Sequence, residues 1–288
     1  MAAFALIATP GRAGAQALAT PAPLPTDSSR PFEIEDNSFL VEEAFNQEPG
    51  VVQTFYGGLF QGSSGSVMTF TQEWPAPGLK HQLSYSIPVN RLNDAEGLGD
   101  VALNYRYQLT EEGPGRPALA PRLTVLCPTG NSARGLGVGA WGVQMNLPAS
   151  KQVRDFYFHG NVGVTWYPRV ATDIPPYASS PISPPPQAAN VALVSPFVAG
   201  STIYRLRPML NLMLESVVTR QAGMTGPAHV DHTTVTILSP GFRGGWNIGE
   251  AQIIVGAALP ITFSAGANDV GVFTYFSYEA PFWKVKKP

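Results

Sequence analysis

Cysteine is almost absent from this chain of 288 residues: Cys127 stands alone. That excludes a disulfide framework and a thiolate metal cluster. Charge is scarce too. Lys, Arg, Asp and Glu make up 13% of the residues, against roughly 25% in soluble domains, so something removes the need for a densely charged surface. A net charge of −2 and a pI near 6.1 leave no basic footprint for nucleic acid. No run of ~18 apolar residues exists, which excludes a helical membrane span. Yet 44% of the chain is hydrophobic. A transmembrane β-barrel meets these conditions together, because it spreads its apolar residues to every second position.

The stretch from Gly97 to Leu109 shows the pattern most clearly. Val101, Leu103, Tyr105, Tyr107 and Leu109 form one alternate set; Asp100, Ala102, Asn104, Arg106 and Gln108 form the other. Successive side chains of a strand point to opposite faces, so one wall is greasy and one wet. About 9–11 residues suffice for a tilted strand to cross a bilayer. The same alternation runs through 79–89, where His81 is the one polar intruder on the apolar side. It returns in 141–147, 210–218 and 253–263, and is poor in 191–204 and 233–246. Strand-length pieces fall at 51–61, 67–76, 79–89, 98–109, 119–128, 138–148, 155–167, 191–204, 208–218, 233–246, 251–263 and 270–282. That predicts an all-β, antiparallel transmembrane barrel of about twelve strands, an even number as in bacterial single-chain barrels.

Loop lengths give a separate check. With the amino end in the periplasm, the outer connections are 62–66, 90–97, 129–137, 168–190, 219–232 and 264–269. The inner ones lie near 77–78, 110–118, 149–154, 205–207 and 247–250. Long outer loops and short periplasmic turns are the usual asymmetry, and only 110–118 is longer than it requires. Trp74, Tyr107, Trp166 and Phe282 near strand ends fit interfacial girdles. A soluble barrel or sandwich with its faces reversed would alternate equally well. Low charge, the even count and the loop asymmetry favour the membrane.

Ahead of the barrel (51–283), residues 1–17 read as a signal peptide. The apolar block Ala2–Thr9 is followed by an A-x-A cleavage site at Ala15-Gln16-Ala17, although a basic n-region is missing. Residues 18–36 read as a Pro-rich linker, and 284–288 as a tail. Residues 37–50 suggest a short acidic helix, capped by Asn37 or Ser38 and stopped by Pro49-Gly50. That segment could sit in the barrel mouth, hang in the periplasm or form a solvated acidic leader.

Several phrases point one way together: SFLVEEAFNQEPGVVQ (38–53), GDVALNYRYQL (99–109), CPTG (127–130), GVQMNLP (142–148) and SPGFR (239–243). In this order they resemble the outer-membrane transporter family named after the meta pathway of phenol degradation. The resemblance covers most of the chain after residue 37. It implies an outer-membrane β-barrel linked to uptake of aromatic or other small apolar compounds, and brings no catalytic or binding residues with it.

On the membrane reading the polar set faces the lumen. The candidates are Glu73, Lys80, Asp100, Asn104, Arg106, Arg122, Gln144, Asn146, His159, Asn161, Asn211, Glu215, Glu250 and Glu279, with Arg243 beside them. Rings of charge in a pore tune what passes; alternatively these groups pair with one another and fill a narrow barrel. A dozen strands lies between barrels filled by side chains and open porins, which favours a constricted or plugged lumen. Pro196 and Pro240 fall inside predicted strands and cannot donate to the ladder. They mark wall bulges at which an apolar cargo could leave sideways.

His229-Val230-Asp231-His232, in a predicted outer loop, matches no standard metal spacing, so no metal or other cofactor is assigned. The run Gly135-Leu136-Gly137-Val138-Gly139 precedes no helix and reads as a loop entering a strand. Cys127 joins the apolar face. His159 is the one histidine on a polar strand face, and no G-x-S-x-G accompanies it, so a hydrolase is the weakest reading. The chain is therefore read as non-enzymatic: a passive transporter in the bacterial outer membrane, with lipid around it and a small-molecule cargo, or else a structural or interaction barrel. The sequence assigns no oligomeric state. Heat-modifiable migration of detergent-extracted protein on a gel checks the closed barrel; a single band position before and after boiling would contradict it.

Overall fold

A computed structural model describes residues 34, 38–47, 50–62, 65–92, 94–172, 189–226, 229–265 and 267–282. The predicted signal peptide, most of the linker, the tail and the Pro-rich stretch 173–188 lie outside these. The wall is made of β1 (Val51–Gln61), β2 (Gly65–Trp74), β3 (His81–Leu92) and β4 (Ala95–Leu98 and Val101–Tyr107). Next come β5 (Ala118–Leu119 and Arg122–Cys127), β6 (Gly142–Val153), β7 (Phe156–Thr172) and β8 (Ala189–Arg207). The circuit ends with β9 (Leu210–Gly226), β10 (His229–Ile248), β11 (Ala251–Ala258 and Ile261–Ser264) and β12 (Ala267–Pro281). Each strand pairs antiparallel with its neighbours, and β12 returns to β1 in an unbroken register from Val51↔Pro281 to Gln61↔Gly271. The result is a closed barrel of 12 strands. Closure leaves no edge, which hydrocarbon demands because it offers no hydrogen bonds to a backbone.

The faces fall as a membrane requires. Leu103, Leu123, Met145, Val162, Val198, Leu214, Phe242 and Val272 are exposed on the outside. Asn104, Arg122, Gln144, Asn161, Glu215 and Arg243, alternating with them, are buried inside. A soluble barrel would invert this. His81 on the outer face is satisfied locally: its Nδ1 lies 2.7 Å from the Tyr105 hydroxyl, and its ring packs against Tyr105 and Tyr107. Trp74, Tyr107 and Phe282 stand at the rim that carries the amino end of β1, and Trp166 in the opposite half.

Two expectations need correction. Residues 219–232 are not an outer loop: β9 continues to Gly226 and β10 begins at His229. Strands β7 to β10 have 17, 19, 17 and 20 residues, well beyond the ~9–11 that span a bilayer. Their outer ends stand clear of the lipid, and the greasy–wet alternation lapses there because neither face meets hydrocarbon. The predicted helix is also missing. Among the described residues the one helical turn is the 3-10 piece Ser132–Arg134, while 38–47 are irregular.

Neither predicted proline sits at a register shift, but each sits where a ladder lapses. Pro196 pairs with Val164 of β7, whereas the ladder from β8 to β9 stops at Phe197↔Thr219. Beyond it, the Ala222 N–H donates to the Ser195 hydroxyl at 2.9 Å, β8 pairs with β7 alone, and β9 pairs with β10 alone. Pro240 stands opposite the break in β11, where the Leu259 N–H donates to its carbonyl at 2.9 Å.

The glycine run earns its place at the outer rim. Asp100, in the break of β4, accepts the Gly130 N–H at 2.9 Å and the Val138 N–H at 2.7 Å, clasping the 128–141 loop. Gly137 passes so close that a Cβ there would stand 2.3 Å from the Asp100 carboxylate. Asn90 adds a bond to the Leu136 carbonyl at 2.9 Å. Hydrogen bonds to a charged acceptor contribute about 1.5–3 kcal/mol each. Asp100→Ala should therefore speed tryptic cleavage at exposed Arg134 by about tenfold or more; an unchanged rate would show that the loop is held otherwise.

Candidate functional site

The lumen is occupied. Residues 38–47 enter it as an irregular strap, bent at 39–41 and at 44, that rises and descends within the barrel. Ile34, at one end, lies beside Gly245, and Phe39 reaches deeper to Gly256. The strap crosses at Leu40–Glu42 and comes down past Ala44 to Asn46, whose amide donates to the Leu79 carbonyl in the β2–β3 turn at 3.2 Å. Gly50 then leads into β1. Ser38, Phe39, Val41, Glu42, Glu43 and Ala44 are all at most 2% exposed, so the solvated-leader reading of this segment does not hold.

Lumen side chains take the place of a helical ladder. Glu215 Oε1 accepts the Leu40 and Val41 N–H groups at 2.7 and 3.1 Å. Asn161 holds both sides of one residue, accepting the Glu42 N–H at 2.8 Å and donating to its carbonyl at 2.7 Å. Ser150 accepts the Ala44 N–H at 2.7 Å, and Gln108 donates to the Ala44 carbonyl at 2.7 Å. Arg106 donates to the carbonyls of Glu43, at 3.1 Å, and Phe45. Gln82 accepts the Gln47 N–H at 2.9 Å. A helix over 37–50 would satisfy these groups internally and leave the polar wall without partners. The wall wins because it is already buried and must be bonded.

Strap side chains anchor it at both ends of its crossing. The Phe39 ring lies 5.3 Å from that of Phe273 and 5.2 Å from that of Tyr275. Phe55, Tyr157, Ile203, Met213 and Ile254 complete this apolar cluster. Gly256 makes room, since a Cβ there would stand 2.4 Å from the Phe39 ring. Burying such a ring is worth about 1.5–3 kcal/mol. The Glu42 carboxylate forms an ion pair with Arg122 and accepts from Asn146 Nδ2 at 2.9 Å. Arg106 Nε donates to Asn46 at 3.2 Å, and the charges of Glu73 and Glu43 act on it.

Of the residues singled out in the sequence, Arg106, Arg122, Asn146, Asn161 and Glu215 bond the strap directly. Glu73 acts through Gln82, whose Nε2 donates to it while its Oε1 accepts from Arg106 at 2.7 Å. Asn104 and Gln144 stitch the wall instead, through Ser84 and Thr124 and through Thr165. Asn211 and Arg243 are fully buried opposite each other on β9 and β10. Glu279 lies half-buried at the β1 and β11 seam. His159 Nδ1 lies 2.8 Å from the Ser150 hydroxyl.

Lys80 and Glu250 are corrections: both are exposed in turns, before β3 and before β11, because the period runs out at the strand ends. Asp100 is a third, since its carboxylate clasps a loop rather than lining a pore. The strap also meets wall residues outside the sequence-derived candidates. Ser150, Ser201, Gln82, Gln108 and Gln53 all face the strap, Ser201 through the Ser38 hydroxyl and Gln53 through Gln47. His229 and Asp231 lie at the start of β10, not in a loop, 3.6 Å apart and exposed. No group of three or more metal-ligating side chains occurs among the described residues.

A closed barrel with an apolar exterior and a charged, self-stoppered interior is an outer-membrane β-barrel. Several solved structures align with it over most of its length. The COG4313 outer membrane channel from Pseudomonas putida F1 superposes with a TM-score of 0.58 at 15% identity, over 80% of this chain and 94% of that one. The NanC porin gives 0.48 at 7% identity, over 81% and 100%. The outer membrane channel DcaP of Acinetobacter baumannii gives 0.33 at 10%, over 83% and 100%. At 15% identity the likeness to the first of these is one of fold alone. No family model and no curated sequence relative matches the chain.

The strap's hold is testable from both sides. Truncating one partner of a buried ion pair costs about 3–5 kcal/mol, so Arg122→Ala should free Glu42 and raise the open fraction in planar bilayers by about a hundredfold. Gly256→Val, which presses on Phe39, should act in the same direction. Conductance identical to wild type in both variants would show that the strap does not close the lumen.

Proposed function

We propose that the protein is a passive outer-membrane transporter for small apolar compounds, aromatic ones among them, with residues 38–47 as the stopper of its lumen. One observation carries this reading. The obstruction is a segment outside the wall, held by side chains rather than by ladder pairing, so it can leave while the barrel stays closed. A purely structural barrel has no need of a separable stopper.

The cargo class follows from the other half of the lumen. Ala102, Leu126, Ala140, Tyr167, Val170, Leu193 and Ala222 form an apolar cluster there, beneath the 128–141 loop. Such a lining favours apolar solutes over sugars or ions. The resemblance to transporters of the phenol meta pathway supports the same class. The lapse of the β8–β9 ladder beyond Pro196 lies beside this cluster and supports release of such a solute sideways into the bilayer.

The test is uptake of a radiolabelled small aromatic by cells with and without the protein, beside swelling of proteoliposomes in sugars. Initial aromatic uptake should rise several-fold while sugar swelling stays near the protein-free baseline. Equal aromatic uptake in both strains would overturn the proposal and leave the structural reading.

A further inference from the structure

The outer mouth holds a pocket away from the strap. It lies between the outer ends of β1, β2 and β3 and the 128–141 loop, with about 340 Å3 of space counting its open side. None of the described residues lining it belongs to 38–47. Leu59, Val67 and Leu92 give it apolar walls. The register sets Leu59 opposite Val67 and Val67 opposite Asn90, while the alternating Phe60, Met68 and Val89 are exposed on the outside. Successive side chains point to opposite faces, so the pocket is on the lumen side of the wall.

Its polar groups are mostly neutral. Gln61, Ser66 and Asn90 line it, and among the described residues its one charged member is Arg91, which stands opposite Glu96 across the β3–β4 ladder. Asn90 Nδ2 donates to the Leu136 carbonyl at 2.9 Å. Its Oδ1 is buried and has no hydrogen-bond partner among the described residues. A buried acceptor in that state favours a ligand that brings a donor. Apolar walls with a few placed polar groups, in roughly 300–1,000 Å3, are the make-up of small-molecule sites.

The loop stands between this pocket and the apolar cluster deeper in the same half. Gly135 lines the pocket, and a Cβ there would stand 3.2 Å from the Leu92 side chain. Val138 and Ala140, a few residues on, pack instead with Leu126, Tyr167 and Leu193. The Asp100 clasp holds the loop in that position.

We propose that this pocket is where cargo first docks, and that it takes a neutral apolar molecule of one ring or a short chain bearing a hydroxyl. The hydroxyl donates to Asn90 Oδ1, and the body lies on Leu59, Val67 and Leu92. A sugar is too polar for these walls, and a carboxylate finds the one cation already faced by Glu96. The role in entry rests on the transporter reading; the binding itself does not, since the pocket is open with the strap in place.

The probe is 4-fluorophenol, titrated into the full-length protein in nanodiscs and read by fluorine NMR against empty nanodiscs. Saturable binding is expected, with fluorobenzene and 4-fluorobenzoate each about fivefold weaker or more. Val67→Trp, which fills the pocket, should weaken 4-fluorophenol by about tenfold or more. Asn90→Leu should bring it to the level of fluorobenzene. If neither variant folds, wild-type protein photolysed with 4-azidophenol decides: adducts at the outer ends of β1, β2 or β3 are expected. No saturable binding above empty nanodiscs, equal binding of the three probes, or adducts confined to other strands overturns the inference. Binding intact with no aromatic uptake by cells would count against the transporter proposal alone.

Discussion

Charged side chains sealed inside a membrane barrel must find partners, and the rest of this structure depends on how they do. The wall strands turn one face to hydrocarbon, so the charges at mid-span are pressed inward. Arg106 and Arg122 on β4 and β5 and Glu215 on β9 thus share one narrow interior. An uncompensated buried charge is among the costliest defects a fold can carry. Here the chain supplies compensation from its own strap: Glu42 to Arg122, carbonyls to Arg106, backbone N–H groups to Glu215. The same interaction that satisfies the wall closes the lumen.

The strap explains why the barrel has two unlike halves. Where it lies, the inner face bonds the strap's backbone and cradles Phe39 in one apolar cluster; beyond it Leu126, Tyr167 and Leu193 converge in a second, under the Asp100-clasped loop. Glycines mark the close approaches, Gly256 under the Phe39 ring and Gly137 against Asp100. Each half is closed by a different element, one anchored by an ion pair and an aromatic ring, the other by a carboxylate holding backbone amides.

The wall was legible in the sequence because the membrane imposes its period of two on every strand that crosses lipid. Each of the stretches assigned to strands from alternation carries one in the structure. Reading failed where that constraint lapses. The outer ends of β9 and β10 rise clear of the lipid, so residues 219–232 lost their pattern and passed for a loop. Lys80 and Glu250 fell at strand ends, where a side chain is free to turn to water.

The candidate site was half legible for a different reason. Alternation marks the face of Arg106, Arg122, Asn146, Asn161 and Glu215, and the face is all the wall contributes. It says nothing of what fills the space between strands. The strap carries local helix signals in Ser38, Glu42 and Glu43, and its true partners are more than a hundred residues away in Asn161 and Glu215. Long-range side-chain-to-backbone bonds leave no period in a sequence. Ser150 and Gln82 lie on the same inner face, and nothing in the alternation separates wall residues that reach the strap from those, such as Asn104 and Gln144, that bond only the wall. The central claim, that the strap's amides are bonded to the wall inside the barrel, is tested most directly by hydrogen–deuterium exchange of residues 38–47 in lipid nanodiscs. The amides of Leu40, Val41, Glu42, Ala44 and Gln47 should be protected to a degree comparable with the wall strands; exchange at the rate of an unstructured peptide would contradict the account.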